Sequence, residues 1–383
     1  DYDFIGRQIS RENLLQVDNF SIWRYKPLLP VRPDAIVPPL AVGWTPLYPA
    51  TRLASEVGLK TVWVKDDGLQ PTASFKDRAS AVAVVKAMEK GAGIITTAST
   101  GNAAAALSGL CASVGQSNVI FVPETAPQAK IAQLLVFGSR VILVKGSYDD
   151  AFELCLKAAK NYSWYNRNSG YNPYMTEGKK TAAYEICEQL AWKAPDRIFV
   201  SVGDGCIIGG LHKGLKDLLA LGWIDKMPKL MGVQAAGSSY LYTAWKNGED
   251  ILTKPPIAAQ TVADSISAGL PGDRIKALAA VTETGGAYIC LSDDDILTAI
   301  PALARRTGVF AEPAGAAAYA GLVNAVNRRL VPGDEKIVVL NTGNGLKDVA
   351  GAMQAVDLVD TKPFRIQPDV AALEQVVAGW DRN

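Results

Sequence analysis

The stretch "IFVSVGDGCIIGGLHKGLKDLL", residues 198–219, decides the architecture. An apolar, β-rich run halts at Gly203, Asp204 and Gly205, and a helical pattern opens at Cys206 and Ile207. A strand feeding through a glycine turn straight into a helix is half of a strand–helix–strand unit, and the same alternation recurs along the chain. Further strands are predicted at 61–64, 93–97, 118–122, 140–144, 197–202, 230–234 and 336–340, with helices such as 79–90, 103–114 and 126–137 between them. The pattern implies an α/β fold of mostly parallel sheet with helices on both faces, and it puts ligands beyond the carboxyl ends of the strands. Residues 1–45, rich in proline and aromatics without periodicity, read as an extended arm over the core.

At 383 residues the chain has room for two domains, each with its own core. Lys+Arg 39 against Asp+Glu 38 gives a net charge of +1, so no nucleic-acid partner is expected. No apolar run reaches the length of a bilayer span and no secretion signal opens the chain, which makes the cytoplasm the default location. The chain starts at Asp1 rather than methionine, so its natural start is expected to lie upstream. Five scattered cysteines show no metal-ligand spacing, and no metal is expected. His212 is the sole histidine, which removes most imidazole-based hydrolase and metalloenzyme arrangements and turns attention to lysine.

In "PTASFKDRA", residues 71–79, Ser74 and Asp77 have the spacing of a capping box, so Lys76 falls in the first turn of a helix. The positive end of the helix dipole disfavours a second positive charge there, and a partly neutral lysine is a nucleophile suited to a Schiff base. A solvated first-turn lysine is the plainer alternative. The turn at 203–207 suits a bound phosphate, since glycines let amides face an anion at a helix start. It also suits an ordinary tight turn. Its spacing fits neither the dinucleotide fingerprint nor the Walker pattern, so neither NAD nor ATP is supported. "STGN", residues 99–102, offers hydroxyls and amides to a carboxylate, or plain capping. In "NTGNGLKD", Thr342 can bond a ring nitrogen without ionising it.

A nucleophilic lysine, a phosphate cradle, a carboxylate seat and a neutral hydroxyl are the needs of a pyridoxal 5'-phosphate site acting on an amino acid. On "TASFKDRA", "STGN", "NPYMTEGKKTAAYEI", "EPAGAAA" and "TGNGLKD", the chain resembles the threonine synthase-like, tryptophan-synthase-β-like enzymes of fold type II, over roughly residues 44–350. The resemblance implies two parallel-sheet domains with the cofactor cleft between them. Residues 46–185 would form the N-terminal region, with a mobile subdomain at about 92–180. Residues 186–350 would form the large cofactor domain, and 351–383 a tail. It implies Lys76 as the cofactor-bearing, proton-shuttling catalytic residue, and Asn102 on the ring hydroxyl. Gly203, Asp204, Gly205, Cys206 and Ile207 fall on the cofactor phosphate and Thr342 at the ring nitrogen. Ser99, Thr100 and Gly101 fall on the substrate carboxylate. Relatives are often dimers, so a homodimer is implied.

The chain departs from threonine synthases at three places. Ala103 stands where a hydroxyl residue usually contacts the substrate's phosphate, Met175 where an arginine is usual, and Asp204 where asparagine is typical. Gly315 in "EPAGA" is closer to serine and threonine dehydratases. The favoured expectation is therefore a lyase that eliminates or replaces a leaving group on a small L-amino acid in a remodelled pocket. A true threonine synthase, a dehydratase and a non-catalytic binder of a phosphorylated ligand are the alternatives. Arg167, Lys179 and Lys180, nearby in sequence, are the cations that could restore phosphate binding, but each is read as a solvated surface charge.

Overall fold

The protein is described by a computed structural model over residues 2–380; Asp1 and the last three residues of the 351–383 tail lie outside the described residues. The strands are β1 (Leu47–Pro49), β2 (Thr61–Asp66), β3 (Ile94–Ala98), β4 (Ser117–Pro123) and β5 (Arg140–Val144), then β6 (Tyr165–Asn166), β7 (Arg197–Ser201), β8 (Lys229–Ala235), β9 (Ala287–Leu291) and β10 (Lys336–Asn341). They make two sheets, one ordered β1-β2-β10-β7-β8-β9 and a smaller one ordered β5-β4-β3-β6. Every pairing is parallel except that of β1 with β2. β2 therefore belongs to the larger sheet, and the chain crosses to the smaller sheet and back before β7.

The seven expected strands all form, several a residue or two longer. β1, β6 and β9 were not expected; β1 and β6, at three and two residues, are too short for a period to show. Both faces of the larger sheet are buried, as parallel sheet requires. Along each strand alternate residues serve opposite cores: Phe199, Val233 and Val339 pack on one side, and Ile198, Val200, Val338 and Leu340 on the other. The N-terminal arm is not simply extended. It contains short helical turns, and its Ile22, Tyr25 and Leu28 are buried.

A buried charge network fixes the helix Lys76–Glu89 to this frame. Arg78 Nε donates to Asp67 Oδ2 at 2.6 Å, Arg78 Nη1 to Glu185 Oε1 at 2.5 Å, and Lys65 Nζ to Glu185 Oε2 at 2.7 Å, all fully buried. Thr45 and Thr181 complete the hydrogen bonding. Two cations meet two anions, so the group is neutral as a whole. Burial works to raise the Glu185 pKa, but Arg78 and Lys65 outweigh it and hold the carboxyl at about 2.

Removing one partner strands the other charges in the core. Arg78→Met is accordingly expected to cost about 3–5 kcal/mol in urea unfolding. Because the folded-state pKa of Glu185 lies below its ordinary value of 4.5, its contribution is complete above that value and is lost as the pH falls toward 2. The urea midpoint of the wild type should fall more steeply than that of Glu185→Gln between pH 5 and 3.

Candidate active site

The carboxyl ends of β2, β10, β7 and β3 release four loops toward one cleft. A short backbone ladder ties two of them together. Ser74 bridges Gly343, Phe75 N–H donates to Thr342 O at 2.9 Å, and Asn344 N–H donates to Ala73 O at 3.0 Å. On the other side of the same segment Ala311 bridges Asn344, and Glu312 N–H donates to Gly343 O at 3.0 Å. The 342–344 segment is thus the middle rung between the residues leading into Lys76 and those leading into Glu312.

This ladder displaces the expected capping box. Ser74 is held with its backbone against Gly343, and its buried hydroxyl has no hydrogen-bond partner. Phe75 is the residue before the helix and makes no side-chain cap. Asp77 instead accepts from Thr72 N–H at 2.7 Å and from the Thr72 hydroxyl, folding the preceding loop back on the helix.

Lys76 is half-buried at the start of its helix. Burial chiefly, then the charges of Lys179 and Arg167, lower its pKa to about 8, against the opposing pull of Glu312 and Asp204. Thr342 Oγ1 lies 3.4 Å from Ser201 Oγ, a pair of neutral hydroxyls at the ends of β10 and β7. Asn102, at the start of the helix Asn102–Ser113, donates to Glu312 Oε1 at 2.8 Å. Glu312 is buried, which raises its pKa.

Gly205, at φ +87°, opens the helix Cys206–Ala220, a backbone state that favours glycine. Asp204 turns its carboxylate to Gly272 N–H at 3.2 Å. Cys206 is buried and Ile207 half-buried in the first helical turn. Ser99 Oγ accepts from Gly101 N–H at 3.2 Å. Thr100, Gly101 and Asn102 line a cavity of about 120 Å³ whose far wall is Glu312 and 346–348. Across its mouth Lys130 pairs with Asp264 at 2.8 Å and Lys347 donates to Gln133 at 2.9 Å.

Ala103 is the second residue of the Asn102–Ser113 helix, half-buried. Met175, in the helix Tyr174–Lys179, is wholly buried against Ala79, Ala83 and Cys206, on the apolar side of the Lys76 helix. Arg167, Lys179 and Lys180 are not surface charges: they are 1%, 1% and 3% exposed. Lys180 is paired with Asp217 at 3.0 Å and Glu177 at 2.7 Å. Arg167 and Lys179 have no carboxylate in ion-pair contact among the described residues. Glu312 and Ser201 were also missed as site residues, and only "EPAGA" pointed at the first. Gly315 has a packing reason: a Cβ there would collide with Asn341 Oδ1.

These residues fit pyridoxal phosphate. Ser74 offers an orphaned buried hydroxyl, the Gly205 turn and Lys179 offer donors and charge for a phosphate, and Lys76 offers a desolvated amine. The chain belongs to the pyridoxal-phosphate dependent enzyme family, whose profile matches residues 39–343, and pyridoxal 5'-phosphate is its cofactor. It is a lyase of the threonine synthase-like kind rather than a non-catalytic phosphate binder. It is 38% identical over 379 residues to a threonine synthase of Methanocaldococcus jannaschii, covering 98% of this chain and 92% of that one. A threonine synthase of Mycobacterium bovis is 36% identical, covering 92% and 94%. Among solved structures, threonine deaminase isoform 2 of Solanum lycopersicum superposes with a TM-score of 0.71 at 23% identity, covering 82% and 87%, and shares the fold.

With Lys76 at about 8, its neutral fraction grows about tenfold per pH unit below that value and levels off above it. The rate at which cofactor-free protein captures pyridoxal phosphate, followed by visible absorbance, should therefore be half-maximal near pH 8 and level off above about pH 9. An amine at the ordinary 10.5 would still be accelerating at pH 9.

Proposed function

We propose that the protein converts O-phospho-L-homoserine and water to L-threonine and inorganic phosphate. The observation carrying this is the 38% identity, over nearly the full length, to a named threonine synthase, on a cleft where the residues leading into Lys76 pair by backbone with 342–344. The dehydratase-like Gly315 gives no counterweight, because packing against Asn341 accounts for it.

Pyridoxal phosphate, when bound, supplies the electron sink for the pair left at the substrate's Cα. Lys76 Nζ, with a pKa of about 8, accepts the Cα proton and returns one within the same turnover. The amides at 203–207, with Lys179 beside Cys206, hold the cofactor's phosphate. Asn102, which donates to Glu312 without cofactor, would bond the ring hydroxyl, and Thr342 with Ser201 would hold the ring nitrogen. A neutral hydroxyl there leaves the ring less electron-withdrawing and favours expelling a leaving group over racemisation. Ser99, Thr100 and Gly101 seat the α-carboxylate at the start of the Asn102–Ser113 helix. Loss of a β proton and of the γ phosphate, followed by water adding its hydroxyl at Cβ and a proton at Cγ, balances the overall reaction.

The subdomain at about 92–180 closes on the rest of the chain through Lys130–Asp264 and Lys347–Gln133, excluding water during turnover. A homodimer is what the family resemblance implies. No helix among the described residues is long and apolar enough to cross a membrane.

Holoenzyme should release inorganic phosphate from O-phospho-L-homoserine and form threonine one for one. Lys76→Ala should lower that turnover by at least about 1,000-fold while leaving the fold intact. Keto acid from serine or threonine, without phosphate release, would instead assign a dehydratase.

A further inference from the structure

The interior around Lys76 holds more positive charge than one phosphate answers. Elsewhere buried cations meet their acids directly: Arg24 with Glu188, Lys65 and Arg78 with Glu185, and Lys180 with Asp217, each at 3.0 Å or less. Arg167 is an exception. Its Nε and Nη2 donate to Ser80 Oγ at 3.2 and 2.9 Å, and it has no ion pair among the described residues.

Its position is set from two sides. Arg167 N–H donates to Thr96 O at 2.9 Å, prolonging the β6–β3 pairing, and Asn168 Oδ1 accepts from Thr97 Oγ1 at 2.6 Å and Ala98 N–H at 3.0 Å. The backbone of Arg167 therefore runs beside the end of β3 that opens into Ser99. Its guanidinium rests on Ser80, four residues after Lys76 and so on the same face of the helix, one turn along. Asp77, the one carboxylate among its main electrostatic neighbours, is committed to Thr72. Burial lowers the Arg167 pKa to about 10, which still leaves it charged at neutral pH.

An unanswered guanidinium inside a protein is unfavourable unless an anion joins it. The Cys206 thiol is within electrostatic reach of both cations, but only Lys179 is close enough to bond it, so Lys179 is placed with the cofactor phosphate at the start of the Cys206–Ala220 helix. That leaves Arg167 for a second anion. Position 175 has nothing to offer one, because Met175 is packed among Ala79, Ala83 and Cys206.

Resting on the reading of the reaction given above, we propose that Arg167, braced on Ser80, binds the phosphate that the substrate loses. Its planar fork suits phosphate oxygens in a way that a point-charge lysine does not match.

The test uses holoenzyme of the wild type, Arg167→Met and Arg167→Lys. Arg167→Met is expected to raise KM for O-phospho-L-homoserine by about 100-fold and to weaken inorganic phosphate, titrated by the cofactor's absorbance, comparably. L-Homoserine, which lacks the phosphate, should bind with an affinity changed by less than about threefold. Arg167→Lys should lie between, near tenfold on the phosphate-bearing ligands, and it carries the test alone if Arg167→Met does not fold. Equal weakening of L-homoserine and phosphate ligands would make the residue structural or a carboxylate ligand, and unchanged phosphate affinity would remove it from the site; either overturns the proposal. A wild type that releases no phosphate from O-phospho-L-homoserine would defeat the reading of the reaction, and the inorganic phosphate titration would still decide Arg167.

Discussion

Arg78 is wholly enclosed, and its guanidinium is divided between Asp67 at the exit of β2 and Glu185 in the helix Thr181–Gln189. Residues two apart on a helix point about 200° from each other. Once Arg78 is locked into the core, Lys76 is obliged to face the other way, into the cleft. The ladder of 73–75 on 342–344 then fixes how far along the cleft it stands. The reactive amine is therefore placed by a neutral charge network on one side and a backbone pairing on the other, and neither depends on the cofactor.

The two charged clusters of the interior contrast. Around Arg78 two cations and two carboxylates cancel, and the cluster serves stability. Around Lys76 the cations Arg167 and Lys179 crowd a third amine, while the two acids acting on it are engaged: Glu312 by Asn102 and Asp204 by Gly272 N–H. Such a cleft is unstable in its own company and stabilised by anions. Burial together with these charges lowers the Lys76 pKa before any ligand arrives, and the same charges favour the phosphorylated cofactor and, on the reading proposed above, a phosphorylated substrate.

Much of this was legible along the chain. The strand, glycine turn and helix at 198–219 foretell β7, Gly205 and the Cys206–Ala220 helix, because a local period and a local glycine suffice to specify them. Lys76, Asn102 and Thr342 were singled out from three separate loops, and the fold brings those loops to one place. Partners from distant segments were not legible. Ser74 and Asp77 have the spacing of a cap, but pairing of Ser74 with Gly343, 269 residues on, overrides it. Arg167, Lys179 and Lys180 read as surface charges because burial of a cation depends on what folds over it. Met175 and Gly315 looked like statements about substrate, whereas each also has a plain packing reason in its neighbours.

The central claim is that Lys76 is the residue joined to pyridoxal phosphate. Reducing the yellow holoenzyme with borohydride and mapping its peptides by mass tests this directly. The account requires the cofactor's mass to be fixed on the peptide bearing Lys76. Label on Lys179, on Lys347 or on no lysine at all would contradict it.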